Sequence, residues 1–141
     1  MIQRIQSLWL LLAALVVAVL YKLPVYGGEL VAGGNKELLV SGSFLLFIVA
    51  AELVVFPLVA LFMFKNRSGQ KKLIWISLLL QLVFVGLIWM EVSDFTAASA
   101  FKSSGYKPGA VLPIVAIVLL FMAYSGIRKD EKLIKSADKL R

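Results

Sequence analysis

The sequence contains neither cysteine nor histidine. Their absence excludes disulfides, zinc sites of the Cys/His kind, haem ligation by histidine, iron–sulfur ligation, and thiol or imidazole catalysis. The usual phosphate-binding, serine-hydrolase and zinc-protease motifs, G-x-x-x-x-G-K-[ST], G-x-S-x-G and H-E-x-x-H, are also missing. We therefore expect no cofactor, no metal site and no enzymatic activity.

Apolar residues are abundant instead, at 61% of the 141 residues, against about 45–50% in soluble domains. They form four long stretches, each of a length to cross or nearly cross a bilayer. The sequence predicts an all-α membrane protein, a four-helix transmembrane bundle within residues 1–127, with approximate spans 7–23, 38–64, 73–90 and 110–127. A basic tail, 128–141, follows as an amphipathic helix or as a solvated extension of the fourth helix.

Basic residues are distributed unevenly between the segments that join these spans. Eleven of the 15 Lys and Arg residues lie in the N-terminal segment, the 65–72 loop and the tail. The positive-inside rule therefore predicts that both termini are cytoplasmic. Contact with lipid headgroups or a partner explains these cations better than nucleic-acid binding does. The candidate residues are Lys65, Arg67, Lys71, Lys72, Arg128, Lys129 and Lys132.

The two remaining connections are small extracytoplasmic loops in this topology. The first contains two glycine pairs, Gly27 with Gly28 and Gly33 with Gly34, which flank a short run of four residues. Such spacing is consistent with a small hairpin or with a pair of turns. Because a two-stranded ribbon is only marginally stable in water, it would need the helix ends or the second loop to pack on.

Glu52 is the one acidic or basic side chain within the hydrophobic cores of the four stretches. An ionised acid at that depth costs about 2.5–3.5 kcal/mol on insertion scales, so we expect Glu52 to turn inward and be hydrogen-bonded or protonated. Counting along the second and third spans places it at the depth of Gln81, with Ser77 one turn away. Pro57 is expected to kink the helix nearby.

Three interpretations of Glu52 remain open. The first is a structural polar clamp with Gln81 and Ser77 between two neighbouring helices. The second is a role in handling protons or ions, which usually needs further buried polar groups. The third is contact with a polar group on a partner protein.

Four segments of the sequence resemble a known family: MIQRIQSLWLLLAA, FKNRSGQ, GAVLPIVAI and the closing GIRKDEKLIKSADKLR. Together they are similar to small four-helix bacterial inner-membrane proteins that are classed only as a domain of unknown function. The resemblance implies the bacterial inner membrane and four spans, and it supplies no activity or site residue.

Two functions follow as hypotheses. The chain is an accessory or assembly subunit that packs against larger inner-membrane proteins, or it is a small oligomeric transporter or proton-coupled carrier that uses Glu52. Its partners would be the lipid bilayer and other integral membrane proteins, and a homo-oligomer is compatible with both hypotheses.

Overall fold

The computed structural model of the chain describes residues 2–64 and 66–139. Its four helices are α1 (Ile2–Val19), α2 (Phe44–Phe62), α3 (Arg67–Ala97) and α4 (Leu112–Lys139). Helix α1 packs against α2 and α4, and α3 packs against the same two helices. Within the described part of the chain, three helices are long and apolar enough to cross a membrane, and α1 contributes a shorter apolar helix, Gln6–Val19.

Each helix buries one narrow stripe, and its other apolar side chains are half-buried or exposed. On α3, the buried residues recur at intervals of three or four, the spacing that places side chains on one face of a helix. Leu53 and Phe84 belong to one buried apolar cluster, and Ala60 and Ile74 to a second. Exposed apolar faces of this extent suit a chain that is surrounded by lipid.

The prediction of a mainly helical chain with four helices is confirmed, but the fold is not all-α, because the two loops at one end of the bundle form a small sheet. It contains β1 (Pro24–Leu30), β2 (Asn35–Leu39) and β3 (Phe101–Tyr106). The strands are antiparallel in the order β2-β1-β3. We call this end of the bundle the sheet end. The third strand comes from the α3–α4 connection and supplies the packing that a lone hairpin lacks.

The hairpin indicated by the glycine pairs is confirmed. Strands β1 and β2 pair antiparallel, and Gly33 and Gly34 in their connection have φ angles of 88° and 93°. Residues other than glycine rarely adopt such angles. The first glycine pair lies within β1 itself, where Gly27 pairs with Glu37 and Gly28 with Lys36.

Several element boundaries differ from the predicted spans. The span predicted at 7–23 ends at Val19 in α1, and the one predicted at 73–90 extends from Arg67 to Ala97 in α3. The stretch 38–64 enters α2 only at Phe44, because Leu38 belongs to β2 and Val40 is buried in the cluster beneath the sheet. The tail does not form a separate helix, since α4 continues without interruption to Lys139. The continuous helix agrees with an extension of the fourth helix, and an amphipathic contact of this extension with the membrane stays a prediction. Leu133 and Ile134 are exposed on it.

Candidate functional site

Glu52 lies on the outer surface of α2. The residues of this helix that face the bundle are Leu46, Ala50, Leu53, Pro57 and Ala60. Glu52 is exposed, as are Ile48, Val55, Val59 and Phe62, which share its face at helical spacing. We call these five residues the outer stripe of α2. The expectation that Glu52 turns inward is therefore not met.

Gln81 lies in the interior, with no exposed surface. Neither its Oε1 nor its Nε2 atom has a hydrogen-bond partner. The Ser77 hydroxyl donates to the backbone carbonyl of Leu73 at 2.9 Å. The predicted clamp of Glu52, Gln81 and Ser77 is thus not formed, because equal depth along two helices does not place two side chains on facing surfaces.

Pro57 faces the bundle, away from the side on which Glu52 is exposed. It lies inside α2, which continues to Phe62. Because proline has no amide proton, the carbonyl of Leu53 loses its usual donor within the helix. The proline and the acid therefore lie on different faces of α2, and any distortion at Pro57 does not bring Glu52 towards Gln81.

The position of Glu52 constrains what it can do. It is eight residues into a 19-residue apolar helix, or about 12 Å from the start of that helix. An acid at this depth that faces lipid is unfavourable if ionised, by about 2.5–3.5 kcal/mol on insertion scales. A hydrogen bond or ion pair with a group from outside this bundle would offset that cost.

The basic residues at the opposite end have several environments. We call this end, where α2 stops and α3 starts, the basic end. Arg67 forms an ion pair with Asp130 at 3.1 Å, and Lys71 forms one with Glu131. These two cations thus attach α3 to α4 within the chain, which the prediction of lipid or partner contact did not include. The other predicted cations Lys72, Arg128, Lys129 and Lys132 are exposed, and Lys65 lies outside the described residues.

Two buried glutamines at the basic end were missed by the sequence analysis. Gln6 and Gln70 are each 6% exposed, and the Nε2 atom of Gln6 has no hydrogen-bond partner. Gln6 precedes Leu10, Ala13 and Val17 on the buried stripe of α1. A polar residue in register with that stripe is the signal that could have identified it.

Gln6 and Gln70 line a groove of about 470 Å³, which we call the basic-end groove. Its other lining residues come from α1, the end of α2 and the residues just after it, the start of α3 and the extension of α4: Ser7, Leu61, Phe62, Phe64, Arg67 and Asp130. One part of its wall is apolar and the other carries an ion pair. By contrast, the described residues include no group of three or more Asp or Glu side chains that could hold a metal ion.

Comparison with family models gives a match over residues 2–140, described as a domain of unknown function (DUF4293). No curated protein and no solved structure matches the chain. The match covers all four helices and the sheet, in agreement with the resemblance found in the sequence, and it assigns no role to any residue.

Proposed function

The chain belongs to this DUF4293 family of unknown function, so its role has to be inferred from its own residues, and we propose that it is an accessory or assembly subunit. In this proposal it has no catalytic activity and packs against larger integral membrane proteins through the outer stripe of α2. The observation that carries the proposal is the exposed acid Glu52 in the middle of an apolar helix.

A polar side chain on a helix of a second protein would give Glu52 a hydrogen-bond partner. Glu52 accepts a hydrogen bond when ionised and donates one when protonated, so a basic or an amide side chain on a neighbouring helix suits it. Ile48, Val55 and Val59 are 40%, 50% and 43% exposed on either side of it and provide an apolar surface for the same helix. Polar residues surrounded by apolar ones are a common way for membrane helices to recognise each other.

A proton-coupled carrier has less support. Among the described residues, the buried polar side chains are Gln6, Gln70, Ser77 and Gln81, none of which is ionisable near neutral pH. A proton path through one copy of the bundle would therefore lack relay groups. The carrier remains the alternative only in an oligomer, where Glu52 would lie between copies.

We further propose a bacterial inner-membrane location with both termini in the cytoplasm. The supporting observation is the excess of Lys and Arg at the basic end. Single cysteines at Ser68 and Ser103, both exposed, should be labelled from opposite sides of the membrane, Ser68 from the cytoplasm. If the cysteine at position 103 were labelled from the cytoplasm, the topology would be the reverse of the one proposed.

Site-specific crosslinking tests the docking face. A photoreactive amino acid at Val55 should form a protein adduct in cells, whereas the same group at Leu82 on α3 should react mainly with lipid. Both positions are well exposed, at 50% and 60%, so they form a matched pair. Adducts to a second copy of this chain would indicate a homo-oligomer, and equal protein adducts from both positions would argue against a specific face.

Substitution of Glu52 distinguishes an accessory subunit from a proton-coupled carrier. Glu52→Gln keeps a hydrogen-bonding side chain, so the Val55 crosslink should persist, whereas Glu52→Leu should weaken it. Hydrogen bonds between membrane helices contribute about 0.6 kcal/mol on average and up to about 1.7, which predicts a roughly three- to twentyfold loss. A carrier must change its protonation state, so a cellular phenotype in which Gln fails as completely as Leu, with crosslinking unchanged, would favour the carrier.

A further inference from the structure

The polar side chains of the basic-end groove have donors that lack acceptors. The Nε2 atom of Gln6 has no hydrogen-bond partner, and the residue is buried, with only 6% of its surface exposed. Arg67 donates through Nη2 to Asp130, and its Nη1 atom is buried without a partner. A buried donor that lacks an acceptor costs about 1–3 kcal/mol, and more when it is charged. Both unpaired atoms belong to residues that line the groove.

From this geometry we propose that the basic-end groove binds a membrane phospholipid. Its phosphate accepts hydrogen bonds from Arg67 and Gln6, and one acyl chain lies along the apolar wall of the groove. A phosphodiester offers acceptors and no donors, which is what the two unpaired groups require.

The backbone around Arg67 favours an anion at the same place. Helix α3 begins at Arg67, and its first turn contains no acidic residue. The side chain of Asn66 accepts a hydrogen bond from the amide of Gly69 at 3.0 Å. The amides of Arg67 and Ser68 also belong to the first turn, where the helix dipole is positive. The helix start thus adds to the charge of the guanidinium group.

The groove's apolar wall favours a lipid over a free phosphate. Phe62, the last residue of α2, and Phe64, two residues after it, are 76% and 53% exposed, and Leu61 lines the groove beside them. A soluble phosphate compound gains nothing from these side chains, whereas an acyl chain covers them.

The acid in the groove supports the same choice. The carboxylate of Asp130 already pairs with Arg67, so the pair carries no net charge. Inorganic phosphate is a mixture of singly and doubly charged forms at neutral pH, so on average Asp130 would repel it more strongly than a singly charged phosphodiester.

Gly126 makes room for the Gln6 side chain at this position. A β-carbon at Gly126 would lie 2.9 Å from the Cγ atom of Gln6. Glycine on α4 therefore leaves the space that the Gln6 side chain occupies between α1 and α4.

Native mass spectrometry of the full-length protein in detergent tests the proposal. The probe is a short-chain phosphatidylglycerol, and diacylglycerol with the same chains serves as the ligand that lacks phosphate. We expect phosphatidylglycerol to bind at least tenfold more tightly than diacylglycerol. Equal binding of the two, or competition by inorganic phosphate at the same concentration as the lipid, would overturn a phospholipid site.

Four variants assign the contacts. Gln6→Leu and Arg67→Met should each weaken phosphatidylglycerol binding by about ten- to a hundredfold, the value of a hydrogen bond to a charged group. Lys72→Met removes one positive charge from the second turn of α3 but lies outside the groove, so it should change binding less than twofold. Asp130→Asn breaks the ion pair and keeps the guanidinium, so it should retain or tighten binding.

The pattern across these variants decides between specific and indirect effects. If Lys72→Met weakens binding as much as Arg67→Met, the lipid responds to overall charge and the groove is not its site. If Asp130→Asn loses binding as Arg67→Met does, the ion pair acts through structure and Arg67 does not hold the phosphate. Thermal midpoints of all four variants, measured without added lipid, identify any loss that comes from unfolding.

Discussion

At the sheet end of the bundle, backbone hydrogen bonds join three strands from two loops, whereas at the basic end two ion pairs join α3 to α4. Side chains reinforce the sheet end. The Tyr21 hydroxyl donates to the carbonyl of Phe47 at 2.8 Å, and Ser43 bonds Glu91. At the basic end, polar atoms of Gln6 and Arg67 are buried without partners.

The two ends of the bundle are therefore held together by different interactions. Ordered backbone pairing fixes the positions of all four helices at the sheet end, because each loop is tied to both of its flanking helices. The basic end is joined by side-chain ion pairs instead, and polar atoms of Gln6 and Arg67 there retain bonding capacity, which suits a surface that meets lipid or a partner. Three predictions test this contrast, beginning with the largest effect.

Gly28 is the position at which the sheet end should be most sensitive. A β-carbon there would lie 2.0 Å from the carbonyl oxygen of Ser103 and 2.6 Å from the Cα atom of Ser104. Both are backbone atoms, so β1 and β3 would have to separate. We expect Gly28→Ala to lower the free energy of unfolding in detergent by about 2–4 kcal/mol.

The matched control is Gly105→Ala on β3. A β-carbon at Gly105 has no neighbour within 4 Å, so its effect should stay within about 0.5 kcal/mol. If Gly28→Ala proves as mild as the control, the sheet does not hold the helices together and the contrast between the two ends fails.

Gln81, between the two ends, should have the next largest effect, and of opposite sign. Its amide is fully buried without a partner, so Gln81→Leu should raise the free energy of unfolding by about 1–2 kcal/mol. Gln81→Ala removes the amide but leaves a cavity, and should lower stability. Thermal or SDS-induced unfolding of both variants measures the difference. If Gln81→Leu lowers stability instead, the side-chain amide of Gln81 has a hydrogen-bond partner in the membrane.

The sequence predicted the helices well, because runs of apolar residues long enough to cross a bilayer have few other interpretations. It also indicated the β1–β2 hairpin, since glycine pairs are local signals. The third strand left no such signal. Phe101–Tyr106 is mostly Ser, Gly and Lys without apolar alternation, and Tyr26 and its partner Tyr106 are 80 residues apart in the chain.

The face on which Glu52 lies was not predictable from hydrophobic periodicity. In a soluble helix the apolar stripe marks the inside, but α2 is apolar on all sides and lipid is as apolar as the core. The buried face is marked instead by small residues, Ala50 and Ala60, and by Pro57. The depth of Glu52 along α2 could be counted from the sequence, whereas the direction in which it points around the helix axis could be seen only in the packed structure.

The smallest effect is expected at the ion pairs of the basic end. Lys71 and Glu131 are partly exposed, with 26% and 28% of their side-chain surface accessible. Such pairs contribute at most about 1 kcal/mol and are screened by salt. In low salt, Lys71→Met should therefore speed tryptic cleavage after Lys132 by about fivefold at most, because the extension of α4 opens more often. The difference should shrink at about 1 M salt, where the Debye length is roughly 3 Å.

Lys72→Met provides the control, because it removes the same charge from an exposed neighbour. It should leave cleavage after Lys132 unchanged. Amide hydrogen exchange of β1 and β3 should be the same in wild type and both variants, since the sheet lies at the opposite end of the bundle from this ion pair. Faster exchange in the sheet of Lys71→Met would show that the two ends are coupled. The two ends would then form one cooperative unit. A lipid or partner bound at the basic end would then change amide hydrogen exchange in the sheet.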